Sequence, residues 1–174
     1  MFHRSIADNI RFARPGATDE EVRETAAAVG LDRLVARLHG GLDHEVREGG
    51  SGLSAGERQL ISIARALLAD PRILILDEAT SNIDRPTEVV IERALDRLLH
   101  GRSSVIIAHR LATVRRADEV LVVERGRILQ RGTPADLLAV DGPFRRLAGG
   151  RHLRHRAAQV GSRRPSAVPA RPCR

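Results

Sequence analysis

The sequence predicts an α/β protein in which a helical region, residues 1–70, precedes a largely parallel sheet flanked by helices. Ile73-Leu74-Ile75-Leu76 is a short, continuous apolar run that ends in Asp77-Glu78, the pattern of a parallel strand covered on both faces. From residue 73 onward, strand-like runs alternate with helical periodicity, which argues for an α/β sheet. Before that point, two Ser/Thr-x-x-Glu capping boxes each introduce apolar residues at helical spacing. The expected organisation is a helical subdomain over 1–70, a sheet core over 71–150 and a basic, disordered tail over 151–174. No internal repeat is present.

In chain order, Thr18-Asp19-Glu20-Glu21 is the first capping box. Val22, Ala26 and Val29 then share one helical face, and Gly30 offers a left-handed stop. Leu31, Leu34, Val35 and Leu38 form a shorter helical pattern that ends at Gly40-Gly41. A polar, glycine-rich loop over 43–52 leads to the second capping box, Ser54 to Glu57. Its helix is expected to bury Leu60, Ile61, Ala64, Leu67 and Leu68, with Pro71 just beyond its end.

After the strand at Ile73–Leu76, Pro86 stands where a first-turn proline is tolerated. Val90, Ala94, Leu95, Leu98 and Leu99 run to a stop at Gly101. Ser103–Ala108 is the next strand and delivers His109 at its carboxyl end. Val120–Val123 and Ile128–Leu129 are strands joined through Arg125-Gly126, a hairpin turn. Thr133-Pro134-Ala135-Asp136 opens one more helix.

The net charge is +7, and the tail carries all of it. Residues 151–174 hold seven arginines and no acid, with too little apolar content to fold alone. Every basic residue apart from histidine is arginine, a bias that suggests a GC-rich coding sequence. No apolar stretch approaches the ~20 residues needed to cross a bilayer. Met1-Phe2-His3-Arg4-Ser5 is not followed by the apolar region of a secretory signal. The single cysteine, Cys173, cannot form an internal disulfide.

Four positions could carry chemistry. Ser54 and Gly56 sit at a helix N-terminus, where unpaired amides and a partial positive charge receive phosphate oxygens. The plain alternative is a helix cap worth ~1 kcal/mol. Asp77 and Glu78 lie at the tip of a parallel strand, where open α/β sheets bind ligands. One carboxylate there can hold Mg²⁺ while its neighbour orients or deprotonates a water; the alternative is a strand running into an acidic loop. His109 ends the following strand and reads equally as a loop histidine, and Asp84 as a helix cap.

Order and spacing add what the single positions lack. Leu53-Ser-Ala-Gly-Glu-Arg-Gln59, Asp77-Glu-Ala-Thr-Ser-Asn-Ile-Asp84 and Ile106-Ile-Ala-His-Arg-Leu111 resemble the signature motif, the Walker B segment with D-loop, and the H-loop of ATP-binding cassette (ABC) ATPases. The resemblance runs from Phe2 to about Gly149 and is closest to the nucleotide-binding domains of type I exporters. Glu45-Val46 and Glu48-Gly49 resemble the exporter loop that touches the transmembrane partner, and Val122–Thr133 resembles the exporters' C-terminal half. Ala55 stands where glycine is more usual.

That resemblance implies a partial P-loop NTPase of the ABC type, comprising the helical signature subdomain and the C-terminal part of the RecA-like sheet. It implies Mg-ATP as cofactor, with Asp77 in the Mg²⁺ shell through water, Glu78 as catalytic base and His109 on the γ-phosphate. Ser54 and Gly56 would bind the γ-phosphate of ATP on the opposite subunit, and Asp84 would cross the dimer interface. The implied partners are a second nucleotide-binding domain, head to tail, and a transmembrane domain, which places the chain in the cytoplasm at the inner face of the plasma membrane.

The chain departs from that pattern in having no lysine, tyrosine or tryptophan. A G-x-x-x-x-G-K-[ST] phosphate loop therefore cannot lie within it. The loop, the adenine-stacking aromatic and the Q-loop glutamine are expected upstream of Met1, so the chain reads as the C-terminal part of an exporter ATPase, inactive alone. In the resembled fold the phosphate-loop strand lies between the strand ending at His109 and the strand at Val120–Val123. Without it, those strands are expected either to expose their inner edges and drive self-association or to close up and pair. Two other readings are a non-catalytic module docking on an intact ABC subunit and a soluble ABC ATPase acting on nucleic acid. The exporter-like loop and the absence of heptads and zinc-ligand cysteines point away from nucleic acid.

Overall fold

A computed structural model describes residues 1–77, 83–108, 111–149 and 157–161, the last as backbone. Its elements fall into two compact units, each described by itself.

The first unit is helical. Strand β1 (Arg4–Ser5) pairs antiparallel with β2 (Glu45–Val46), and Ser5 caps α1 (Ile6–Arg11) by accepting from the Asp8 amide. Helix α2 (Asp19–Ala28) opens with the expected capping box: the Glu21 amide donates to Thr18 Oγ1, and the Thr18 amide donates to the Glu21 carboxylate. Val22, Ala26 and Val29 are buried as the spacing predicts, and Gly30 ends the helix at φ +79. Helix α3 (Asp32–Arg37) buries Leu34 and is followed by left-handed Gly40 and Gly41.

Helix α4 (Ala55–Ala69) buries Leu60, Ile61, Ala64 and Leu68, while Leu67 stays half-buried and Ile63 is buried instead. Helix α5 (Arg85–Leu99) buries Ile91, Ala94 and Leu98, with Val90, Leu95 and Leu99 at the margin. The expected boundary at residue 70 places α5 in the sheet core, whereas the structure groups it with the helices. Contacts explain the difference. The Arg97 guanidinium donates to the Ala28 carbonyl, and a Cβ at Gly30 would come within 2.7 Å of Val90.

Asn9 is the polar centre of this unit and is fully buried. Its Nδ2 donates to the carbonyls of Phe2, Ser5 and Arg4 at 3.0, 3.0 and 3.3 Å. Its Oδ1 accepts from the Phe2 amide at 2.9 Å and from Arg65 Nη2 at 3.1 Å. Arg65 Nε donates to the Asn9 carbonyl at 2.7 Å, while its guanidinium lies over the Phe2 and Phe12 rings at 5.3 and 5.6 Å. Partial burial holds the Arg65 pKa below its usual value. Through this pair, α4 holds the first turn of the chain.

The second unit is a five-stranded sheet. β3 (Ile73–Asp77) pairs in parallel with β4 (Ser103–Ala108), Ile75 opposite Val105 and Asp77 opposite Ile107. β5 (Glu119–Glu124) and β6 (Arg127–Gly132) form an antiparallel hairpin. Arg125 and Gly126 both have positive φ, 48 and 76, the backbone of a twist-matched two-residue turn. One face of the sheet carries the core: Ala108, Val120 and Val122 pack with Val114, Leu137 and Phe144, brought by α6 (Leu111–Val114), α7 (Pro134–Ala139) and α8 (Pro143–Gly149).

Two expectations are corrected here. β3 is not covered on both faces: Leu74 is buried, but Ile73 and Ile75 are 67% and 75% exposed, because β3 is an outer strand and the core helices lie on the other face. The tail is not wholly without structure either. Residues Ala157–Gly161 form β7, which lies between β4 and β5 and is antiparallel to both. The edges of β4 and β5 are therefore neither bare nor joined to each other. Buried backbone groups require partners, and 157–162 is the longest stretch of the tail without arginine or proline.

Asn9→Ala should destabilise the first unit by about 1–3 kcal/mol, the cost of leaving buried polar groups unpaired. Urea denaturation followed by far-ultraviolet circular dichroism checks this, and a loss below about 0.5 kcal/mol, the scale of an ordinary surface substitution, would contradict it.

Candidate functional site

Ser54 is the N-cap of α4, with φ −66 and ψ 163. Its Oγ accepts from the Glu57 amide at 3.2 Å, and its own amide donates to the Glu57 carboxylate at 2.7 Å. Arg37 pairs with the same carboxylate, so α3 steadies the cap. The Ser54 side chain is exposed, and because its oxygen is the acceptor in the cap, the hydroxyl proton remains available to a ligand.

Gly56 has a different justification from the one its sequence context suggests. It is buried in the first turn of α4, and a Cβ there would lie 2.3 Å from Thr87 Cγ2 and 3.5 Å from Ile83 Cγ2. Glycine is required for helix-on-helix approach, whatever else the first-turn amides meet. Thr87 also serves Asp84, the N-cap of α5: its amide and hydroxyl donate to the Asp84 carboxylate at 3.1 and 3.0 Å. These bonds hold the Asp84 carboxyl below its usual pKa. Asp84 is thus a helix cap, as its plain reading expects, and one threonine links it to the glycine of α4.

In the second unit, Asp77 ends β3 and is exposed. Parallel pairing sets it opposite Ile107, one residue before the end of β4. Glu78 and His109 lie outside the described residues. Among the described residues, no group of three His, Cys, Asp or Glu side chains is placed to hold a metal ion.

Arg37, Thr87, Asn9 and Arg65 escape sequence reasoning as supporting residues. An asparagine among the buried positions Ile6, Ala7 and Ile10 of α1 is the one signal that was available. Arg37 carries none, because its partner Glu57 comes from another helix, and neither does the approach of Thr87 to Gly56, although the bonds of Thr87 to Asp84 lie within its own helix cap.

An exposed helix cap and a carboxylate at the tip of a parallel strand are the marks of phosphate-handling α/β proteins, and comparisons define the class further. Residues 2–81 match the sequence model of the ABC transporter family. An ABC transporter ATP-binding protein of Bacillus subtilis, YknV, is 54% identical over 144 residues, covering 83% of this chain and 24% of that protein. A fatty acid ABC transporter ATP-binding/permease protein of Mycobacterium bovis is 49% identical over 83% of this chain and 23% of its own length. A solved structure of a bacterial Atm1-family ABC exporter with ATP bound superposes with a TM-score of 0.76 at 38% identity, covering 85% of this chain and 26% of that one. The chain belongs to the ABC transporter ATP-binding family, of the exporter type. It spans about a quarter of the length of these relatives.

Gly56→Ala should destabilise the first unit by about 1–3 kcal/mol through overpacking against Thr87. Adding Thr87→Ser, which removes Cγ2 and keeps the hydroxyl, should recover at least half of that loss in a denaturation double-mutant cycle. Additive losses would refute the contact.

Asp84 also makes stability depend on pH. A carboxyl whose folded pKa lies below its unfolded value stabilises above the unfolded pKa, and the contribution is lost as pH falls through the folded pKa. Asp84→Asn should therefore flatten the acid limb of the midpoint-against-pH curve and leave its alkaline side parallel to wild type. An unchanged acid limb would remove Asp84 from that account.

Proposed function

We propose that this chain supplies the signature face and the catalytic edge of an ABC exporter ATPase, completed by a segment that carries the phosphate loop. The parallel pairing of β3 with β4 carries the reading. It sets Asp77 beside Ile107 at one carboxyl edge, the kind of edge at which α/β sheets bind their ligands, and this supports the reading.

Each residue has a role in that reading. Asp77 holds the Mg²⁺ shell through water, and Glu78, the next residue, orients and deprotonates the attacking water. His109 meets the γ-phosphate. The Ser54 hydroxyl donates to a γ-phosphate oxygen of ATP held by a second, head-to-tail domain, and the Gly56 amide lies at the same helix terminus. Asp84 and its loop face that second domain. An exposed carboxylate such as that of Asp77 would suit a hard cation that keeps several of its waters. When bound with the nucleotide, such a cation would supply neutralisation of phosphate charge.

Residues 1–174 contain no lysine, so the lysine that cradles the phosphates comes from the completing segment. Among the described residues no helix is long and apolar enough to cross a membrane. A transmembrane domain is accordingly the second proposed partner, engaged at the inner face of the plasma membrane.

Two measurements test the reading. The purified chain alone should neither hydrolyse Mg-ATP nor bind it with micromolar affinity in calorimetry. Supplied with the phosphate-loop half of a homologous exporter ATPase, it should gain activity that Glu78→Gln lowers by ~10²-fold or more, the scale of general-base catalysis. Ser54→Arg should abolish the same activity without preventing assembly of the two halves. Turnover by the chain alone, or complemented turnover indifferent to both substitutions, would overturn the assignment.

A further inference from the structure

A capping box closes a helix with a carboxylate, and a carboxylate is a poor neighbour for a phosphate. In α4 the two requirements meet within one turn. The one acid of that turn is Glu57. Its Oε2 accepts from the Ser54 amide at 2.7 Å, and its own amide donates to Ser54 Oγ at 3.2 Å. The Glu57 side chain is only 16% exposed, so its charge is held beside the exposed Ser54. A negative charge fixed there offsets the partial positive charge that draws anions to a helix N-terminus.

Arg37 answers that charge from another helix. Its Nη2 pairs with Glu57 Oε1, the oxygen that the capping bond does not use. The pair joins α3 to α4 across twenty positions of sequence, inside one compact unit. The Arg37 side chain is 62% exposed, and surface pairs of that kind add little to folding stability. Their effect on the local field is another matter, because a full unit of charge is cancelled next to Ser54. Helix α2 has the same box and the same kind of pair, Arg14 with Glu21, but its first turn also holds Asp19 and Glu20. In α4 a single arginine cancels the single acid. Two further charges stand near: Arg58 donates to the Leu53 carbonyl at 2.5 Å, and Asp84 reaches Gly56 through Thr87. Their signs are opposite, so the balance at this terminus turns on Glu57 and Arg37.

We propose that Arg37 is a positioning residue of the signature face, which neutralises the capping carboxylate of Glu57 and so lets the α4 N-terminus accept a phosphate beside Ser54. The proposal rests on the role given to Ser54 under Proposed function and adds the residue that makes a glutamate capping box compatible with it. Glutamine fills the same capping position without a charge. With glutamate at 57 the arginine is required for phosphate binding, and with glutamine it is not.

Four forms of the full chain test this: wild type, Arg37→Gln, Glu57→Gln and the double variant. Inorganic tripolyphosphate is titrated in the millimolar range at low ionic strength, where screening is weak. Proton–nitrogen correlation spectra follow the Ser54 and Gly56 amides. Arg37→Gln should weaken binding by about threefold to tenfold, the scale of one charge at close range beside water, and Glu57→Gln should strengthen it. The double variant should return to within about twofold of wild type, a coupling that only a shared charge term produces.

That recovery separates charge from scaffolding. If Arg37 merely steadied the cap, neutralising Glu57 would restore nothing, and a double variant as weak as Arg37→Gln overturns the proposal. Binding indifferent to Arg37→Gln overturns it as well, and so does loss of helix in that variant by far-ultraviolet circular dichroism. Arg37→Lys, which keeps the charge and loses the guanidinium fork, should bind as wild type does; a loss equal to that of Arg37→Gln assigns the effect to geometry and sinks the charge role. No shift at Ser54 or Gly56 in any form withdraws the phosphate role of Ser54 together with the proposal, whereas shifts that ignore Arg37 withdraw the proposal alone.

Discussion

Backbone groups taken out of water must find partners, and in the second unit that requirement falls on a single five-residue strand. β4 and β5 each present one side to a neighbour of their own, β3 and β6. Their other sides face each other across a gap one strand wide, and β7 fills it. The arrangement keeps Val120, Val122 and Ala108 in one continuous layer beneath α6, α7 and α8. Within the described sheet, β3, which ends at Asp77, pairs with β4 alone, and β4 pairs in turn with β7.

The first unit answers the same requirement with side chains. Asn9 satisfies three carbonyls and an amide in a segment too short to form a ladder of its own. Arg65 then joins that cluster to α4, the helix that Ser54 opens. At the other end of α4, the absence of a side chain at Gly56 lets α5 approach until Thr87 fills the space. Helix α4 is consequently held near both ends, by a buried amide at one and a close helix crossing at the other.

Legibility in the sequence follows the range of the interaction. Both capping boxes, the Arg125-Gly126 turn, the limits of β4 and the start of α7 at Thr133 are set by residues within a few positions of one another, and all lie where the sequence places them. The exposed side of β3 was not legible, since an apolar run looks the same whether one face or both are covered, and only the position of α6–α8 decides. β7 was not legible because nothing in Ala-Ala-Gln-Val-Gly favours a central strand; the vacant edges beside it recruit it. Gly56 was identified as a site residue, but its packing role depends on Thr87, thirty-one positions away in the sequence.

This glycine separates two constraints that a motif conflates. A residue in a phosphate-binding motif is easily read as present for the phosphate, yet Gly56 would be required here by Thr87 alone. Ser54 is the reverse case: its capping bond to Glu57 is satisfied by the oxygen lone pair, which leaves a donor that the fold does not use. Any side chain that preserved the cap without a hydroxyl proton, such as an aspartate, would keep α4 and change what α4 can recognise, replacing a donor with a negative charge at the helix N-terminus. On the proposed reading, helix stability and phosphate recognition diverge at Ser54 and coincide at Gly56, so substitutions at position 54 would test that reading, whereas substitutions at position 56 report on packing first.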